Sequence, residues 1–332
     1  MLCLSTWRLS VKFPLVAAAM LAFAFNAQAA ESADTYPSKP VRIVVPYSAG
    51  GTTDYAARIV AQKLTEQNGQ TFFVENKAGA SGTIGTLDVV RSAADGYNIL
   101  TNDTTYAMLP ALFDKLAWDH KNDLVPVSML IQSPVTLVVP QASKFQTMQD
   151  LIDYAKQNPG LLNFGSGGQG SSTHLSSEVF RDQAQINVAH IPYRGAGAAM
   201  TDLMAGQIDF LITATPTAIG PIKGNRVRAL AVSGNERLKA LPNVPTFKEA
   251  GLADYQVINW FGFAVPRNTP APVVEKLSTL VLKALDDDKL RAQLEEQGAK
   301  PGTLKPAEFQ KLVSEEITLW TDVAKKAGVK PE

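Results

Sequence analysis

Cysteine is all but missing: the single one, Cys3, stands within the first thirty of 332 residues. A disulfide framework is therefore excluded, and the thiol comes too early to be a lipid-anchoring residue at a processed N-terminus. Histidine is scarce as well, with His120, His174 and His190 the whole supply. Lacking cysteine, any H-x-x-x-H pair and any acidic cluster beyond residues 286–288, the chain offers no zinc site. No G-x-S-x-G elbow occurs, which argues against a serine hydrolase. Charge of one sign is not in excess either, at 31 Lys and Arg against 31 Asp and Glu. That balance argues against nucleic acid or an anionic membrane as a partner. No later apolar stretch is long enough to span a bilayer.

The leading residues have a pattern of their own. Arg8 and Lys12 precede an uncharged, mostly apolar run over 15–25, and Ala27-Gln28-Ala29 follows as an A-x-A cleavage site. This is the pattern of a secretory signal over residues 1–30. Its removal leaves 29 basic against 31 acidic residues, a net charge of −2. A soluble exported protein of about 300 residues, resting on its core rather than on disulfides, is the expectation. Outside the cytoplasm there is no pool of ATP or NADH, which counts against phosphate-loop readings.

Strand-like runs (41–46, 72–74, 98–101, 135–139, 162–165, 188–192, 210–213, 227–232 and 262–265) alternate with helical patterns such as 148–157, 172–183 and 198–205. Alternating βαβα order predicts an α/β fold with a largely parallel sheet. After Pro270 the pattern changes to long amphipathic helices, with Val273, Leu277, Leu280, Val281 and Leu285 on one stripe and Phe309, Val313, Ile317, Trp320 and Ala324 on another. Trp320 reads as core.

The chemistry is concentrated in loops that follow strands, where open α/β sheets bind ligands. In "VRIVVPYSAGGTTDYAARIVAQKL" a strand breaks into Tyr47, Ser48, a Gly-Gly pair ending at Gly51, then Thr52, Thr53 and Asp54, and resumes as a helix. Glycine lets another molecule approach the backbone, and the helix start presents free N–H groups to a negative charge. Similar loops are "NKAGASGTIG", "TNDTT" with Asn102 at its second position, and "GSGGQGSSTH", which holds Ser166, Gly168, Ser171, Ser172 and Thr173. The last also satisfies G-x-G-x-x-G, but the next strand ends in Tyr193-Arg194 rather than in an acidic residue, so a dinucleotide site is disfavoured. His174 and His190 read as structural. No catalytic constellation, cofactor or metal is implied, and the residues read as those of a binder.

The blocks "YPSKPVRIVVPYSAGGTTDYAAR", "VENKAGASGTIG", "DGYNIL", "LNFGSGGQGSSTHL", "HIPYRGAGAAMTDLMAGQIDF", "VRALAVSG", "LPNVPTFKEAG" and "NWFGFAVPRNTP" follow in order along nearly the whole exported chain. In this order and spacing the sequence resembles the Bug family, the extracytoplasmic solute receptors of tripartite tricarboxylate transporters. The resemblance implies a two-lobed periplasmic-binding-protein fold, of the Venus flytrap, type II-like kind, with a ligand cleft between the lobes. It also implies a small organic carboxylate as ligand and membrane permease subunits as partners, with the receptor itself a monomer in the periplasm. The family holds a carboxylate through loops that correspond here to 48–54 and 166–173. One departure is Thr52, where the family often has a proline.

From these readings Thr52, Thr53, Ser166, Ser171 and Ser172 are expected to donate to a carboxylate, with Ser48, Gly51, Gly168, Thr173, Asn102 and Thr215 beside them. Asp54 is expected to cap its helix and orient the loop. Arg194 has the fork to pair with a second carboxylate, or is a surface arginine packed on Tyr193. Tyr47, Phe164 and Trp260 are candidates for the cleft wall, with hinge packing the other role open to Trp260. The expected domains are residues 36–133 plus 257–332 in one lobe and 134–256 in the other. An exported enzyme on the same fold, or a receptor that signals rather than feeds a permease, are the alternatives.

Overall fold

The computed structural model describes residues 34–326, so the export-signal reading of 1–30 lies outside the described residues. The first βα units follow the sequence. β1 (Val41–Val45) leads into α1 (Thr52–Asn68), then β2 (Phe72–Asn76), α2 (Thr83–Val90), β3 (Asn98–Asp103) and α3 (Thr104–Leu112). β1 lies between β2 and β3 in parallel register, with Ile43 opposite both Val74 and Ile99. Alternation along β1 then divides its side chains. Val41, Ile43 and Val45 pack with Ala56, Val60 and Leu64, one stripe of α1. Val44 faces the opposite core, with Leu100 and Trp260.

The sheet departs from expectation at its centre. β4 (Leu124–Pro140) is a single strand of 17 residues, whereas the sequence suggests only its last third. Pro126, Pro134 and the polar Ser128, Gln132 and Ser133 interrupt the apolar run. The strand accommodates Pro126 beside a register shift between Pro126 and Ser128, where its ladder is broken. Over Leu124–Pro134 β4 pairs antiparallel with β9 (Ile258–Pro266). Over Val135–Pro140 it pairs antiparallel with β7 (Phe210–Ala214) and β8 (Val227–Val232). Among the described strand pairs, β1–β2, β1–β3, β5–β6 and β5–β7 are the parallel ones, where β5 is Asn163–Ser166 and β6 is Ala189–Pro192. The sheet is mixed, in the order β2-β1-β3-β9-β4-β7-β5-β6, with β8 and β10 (Lys300–Pro301) also on β4.

The helices cover both faces: α4 (Met148–Gln157), α5 (Ser172–Ala184), α6 (Ala196–Met204) and α7 (Thr215–Lys223) between the later strands, then α8 (Ala271–Leu285), α9 (Asp288–Glu296) and α10 (Pro306–Lys326). Two prolines hide α7 in the sequence, yet Pro216 lies in its first turn, where a missing N–H costs nothing. A core of Phe164, Phe180, Phe210, Phe247 and Tyr255 fills the β5–β7 side. Phe164, a candidate for the cleft wall, is fully buried there.

Two strand alternations decide which side chains meet which layer. On β9, Phe261 and Phe263 face the α1 core while Trp260 and Ala264 face α10. On β3, Ile99 faces the former and Leu100 the latter. Trp260 therefore packs edge-on to Phe309 at 5.2 Å and donates its indole N–H to Glu316 at 2.8 Å. It is a core residue of the α10 layer and not a cleft wall. Between its neighbours Gly262 lets α10 sit directly on the sheet, since a Cβ there would overlap the Phe309 ring and lie 3.0 Å from the Ser128 carbonyl. Gly262→Ala is expected to cost about 1–3 kcal/mol through overpacking. The combination with Phe309→Leu should restore part of that loss, and thermal unfolding of the single and double variants checks it.

Candidate functional site

A cavity of about 40 Å³ lies where the loops after β1, β3, β5, β6 and β7 converge beside β9. Of the residues named from sequence, Tyr47, Ser48, Gly51, Thr52, Thr53, Asp54, Ser171, Ser172 and Thr173 line it. Asn102, Ser166, Gly168, Arg194, Thr215 and Trp260 do not. Asp103, Thr105, Gly167, Ala196, Thr213, Ala214, Thr217, Asn259 and Phe261 line it without having been singled out.

Strand alternation accounts for several of these differences. Asn102 and Trp260 project to the α10 side, while their neighbours Asp103, Asn259 and Phe261 project into the cavity. Thr215 is buried one residue past β7, bonded to Thr136 Oγ1 at 2.9 Å and donating to the Pro134 carbonyl at 3.0 Å. It fastens α7 to β4. Arg194 is exposed, and what it brings to the cleft is its carbonyl, which accepts the Ser48 N–H at 3.0 Å.

The first loop is built as its composition suggests. Gly50 takes φ of +87° and Gly51 follows as the N-cap of α1, with no side chain capping the helix. Asp54 is thus not the cap. Its carboxylate accepts from the Gly50 N–H at 3.1 Å, from Asn76 Nδ2 at 2.9 Å and from Arg58 Nε at 3.0 Å, which folds the loop back on itself. Burial pushes the Asp54 carboxyl up, but the bonds from Arg58, Asn76 and Gly50 together hold it below its ordinary value. Asp103 sits deeper, and desolvation raises it despite bonds from Thr53, Thr105 and Tyr47. It caps α3 through the Thr105 N–H at 2.9 Å.

The glycine loop after β5 is largely self-satisfied. Thr173 Oγ1 accepts the Gly167 N–H at 2.7 Å, Ser166 Oγ the Gly168 N–H at 3.1 Å and His174 Nδ1 the Gly170 N–H at 3.0 Å. Ser171 caps His174 N–H at 3.3 Å, and Thr105 Oγ1 takes the Ser172 N–H at 3.0 Å. The start of α5 thus has fewer amides to offer an anion than the sequence suggests. Of the helices that start at the cavity, α1 and α6 have no side-chain cap, and α7 has none from its own N-cap residue. Ala196 and Thr217, in the first turns of α6 and α7, line the cavity opposite Gly51 and Thr52. No lysine, arginine or histidine lines it. Two carboxyl groups, Asp54 and Asp103, do line it, so the attraction it can offer an anion is that of helix ends.

Bonds cross the cavity. Thr217 donates its hydroxyl at 2.8 Å and its N–H at 3.2 Å to Thr52 Oγ1, whose own proton points to the Ala214 carbonyl at 3.4 Å. Backbone meets backbone beside them: a Cβ on Gly197 would run into the Ala49 carbonyl and lie 2.9 Å from Gly50 C and 3.0 Å from Gly51 N. Two buried side-chain oxygens at the cavity, Ser48 Oγ and Asn259 Oδ1, have no hydrogen-bond partner.

His174 and His190 stack at 3.9 Å and 15°, against Phe164, beneath the glycine loop. His190 Nε2 lies 2.6 Å from Ser166 Oγ, which also bonds the Gly168 carbonyl at 3.0 Å. One hydroxyl proton serves this geometry if His190 donates from Nε2 and Ser166 donates to Gly168. Burial, helped by His174, pulls His190 down to about 4. The folded protein refuses a proton there that the unfolded chain accepts near pH 6.5, so stability is complete above that pH and falls as pH drops toward 4. His120, also pulled to about 4 by burial, acts in the same direction. Thermal midpoints measured between pH 7.5 and 5 should decline, and His190→Gln should flatten the decline.

The profile of the tripartite tricarboxylate transporter family receptor matches residues 56–329. Among solved structures, the periplasmic binding protein BugD is 32% identical with a TM-score of 0.85, covering 90% of this chain and all of its own. Rpa4515 of R. palustris, solved with adipate, is 34% identical at a TM-score of 0.86, covering 90% of this chain and 100% of its own. MatC from Rhodopseudomonas palustris, solved with bound malate, is 32% identical at 0.82, covering 87% and 100%. A profile match over most of the chain and full-length likeness above 30% identity agree on one family: the chain belongs to the tripartite tricarboxylate transporter receptors, solute-binding proteins rather than enzymes.

Proposed function

We propose that this protein is a periplasmic receptor that closes over a small organic carboxylate and delivers it to the membrane permease subunits of a tripartite transporter. One observation carries the reading: the uncapped starts of α1 and α6 face one cavity that has no cationic side chain, while the Thr217 N–H of α7 is taken by Thr52 Oγ1. Such a site suits a carboxylate held by amides and hydroxyls. The adipate and malate of the two R. palustris relatives are dicarboxylates, which supports the same ligand class. Backbone amides at Gly51–Thr53, with the hydroxyls of Ser48 and Ser172, form the carboxylate end. Asn259 is placed to accept from a donor elsewhere on the ligand. In this reading residues 36–133 with 257–332 form one lobe and 134–256 the other, with β4 and the segment leading into β9 as the crossings between them. The present cavity takes little more than a carboxylate, so a longer diacid requires the lobes to part further.

After denaturation and refolding to strip bound solute, a mono- or dicarboxylate should raise the thermal midpoint by several degrees. A ligand of the folded form adds about 2.7 kcal/mol at a hundred times its dissociation constant. The matching primary amide should give much less, because the charge drawn to the helix ends is gone. Stabilisation by amides equal to that by acids would overturn the anion site.

Closure has its own test. Gly197→Ala places a methyl group against the Ala49–Gly51 backbone only when the loop and α6 meet. It is expected to leave the ligand-free protein as stable as before and to weaken carboxylate binding about tenfold or more, roughly 1.4 kcal/mol. Gly220→Ala, in open space within α7, serves as the control and should leave affinity unchanged. Calorimetry on both variants measures the difference.

A further inference from the structure

A second cavity, of about 360 Å³, lies between α10, the loop at His120 and the α10 side of β3 and β9. It is not an extension of the carboxylate cleft. Asn102 lines it while Asp103, the next residue of β3, lines the cleft on the opposite face. We propose that this cavity is a second ligand site, for a small uncharged molecule with an apolar ring or chain and an amide- or hydroxyl-type head.

Size is the first argument. A dry apolar cavity of about 150 Å³ admits benzene, and small-molecule pockets begin near 300 Å³. Packing between a helix and a sheet ordinarily closes such space, so a void this large beside a close helix–sheet contact at Gly262 and Phe309 is out of keeping with its surroundings.

The second argument is hydrogen bonding. Asn102, 2% exposed, has its Oδ1 buried without a partner, and so are both ring nitrogens of His120. The His120 ring is held in place: Tyr106 stacks on it at 4.0 Å and donates its hydroxyl to the His120 carbonyl at 2.8 Å. Leaving buried donors and acceptors unpaired costs stability. Asn102 and His120 both line the cavity, and an occupant seated against them would supply the missing partners.

Charge fixes the class. No carboxylate lines the cavity, and Lys121 is the one basic side chain there, on the exposed loop. His120 is neutral at physiological pH because burial lowers its pKa. An ion at the inner end would find no countercharge. A neutral head can accept from one imidazole nitrogen or donate to the other, and can donate to Asn102. Leu124, Val313 and Ile317 supply the apolar wall for the body of the molecule.

The test uses benzamide and benzyl alcohol as probes, with benzoate and benzylammonium as charged counterparts. Each is titrated into the refolded protein while the imidazole resonances of its histidines are followed by NMR, that of His120 being identified with His120→Gln. A saturable shift of the His120 resonance by the neutral probes is expected, with the charged probes about tenfold or more weaker there. Ser314→Phe, on the exposed rim formed by α10, should lower the affinity of the neutral probes about tenfold and leave carboxylate binding in the cleft unchanged. Gln310→Trp, on the same rim, serves if the first variant does not fold. No saturable shift with either neutral probe, equal binding of the charged ones, or binding that survives a folded rim variant would each overturn the proposal. Because the cleft is titrated in parallel, loss of this site is distinguishable from loss of the carboxylate site.

Discussion

The antiparallel pairing of β4 with β9 is the constraint on which the rest of the molecule depends. β4 is one uninterrupted strand that pairs with β9 over its first part and with β7 and β8 over its last. Each parallel βα unit is attached to this pair from one side or the other, so the carboxyl ends of β1, β3, β5, β6 and β7 arrive around a common space. The helices that follow these strands inherit the convergence, and their N-terminal turns meet without any long-range signal in the sequence. β4 is irregular on both sides of the change of partners, with register shifts at Pro126/Ser128 and Met129/Ile131 against β9 and at Leu137/Val138 against β8.

Much of this was legible from local pattern. The loops at 47–54 and 165–174 were found because small polar residues between an apolar strand and an amphipathic helix have few other uses. What was hidden was hidden for physical reasons. β4 carries prolines and polar residues in its first half because it is bulged, so its apolar run looks short. α7 begins with Thr215-Pro216, a sound helix start that reads as a turn when no strand boundary is known. Asn102 and Trp260 were each one residue from the cleft, since alternation on β3 and β9 gives Asp103, Asn259 and Phe261 to the cavity instead. Only the pairing register settles that parity, and no single strand announces it.

The glycine loop teaches a different lesson. Its serines and threonines looked like ligand donors, and Ser171 and Thr173 do line the cavity, yet their hydrogen bonds go mainly to the loop's own amides and to α5. Composition revealed that the backbone here needs partners, but not whether those partners come from within or from a solute. The loop before α1 differs in that its helix start has no side-chain cap and the carboxylate of its one acidic residue, Asp54, is bonded to Arg58 and Asn76.

On the proposed reading, a cleft that attracts anions through helix ends and not through a formal cation has a consequence for capture kinetics. Partial charges at a helix end act within about a turn, so they hold a carboxylate that has already arrived but exert little pull across solvent. With near-balanced charge on the chain as a whole, encounter should proceed at the rate of unguided diffusion and vary little with ionic strength. Such a receptor would collect its solute at much the same speed in dilute and in salty surroundings.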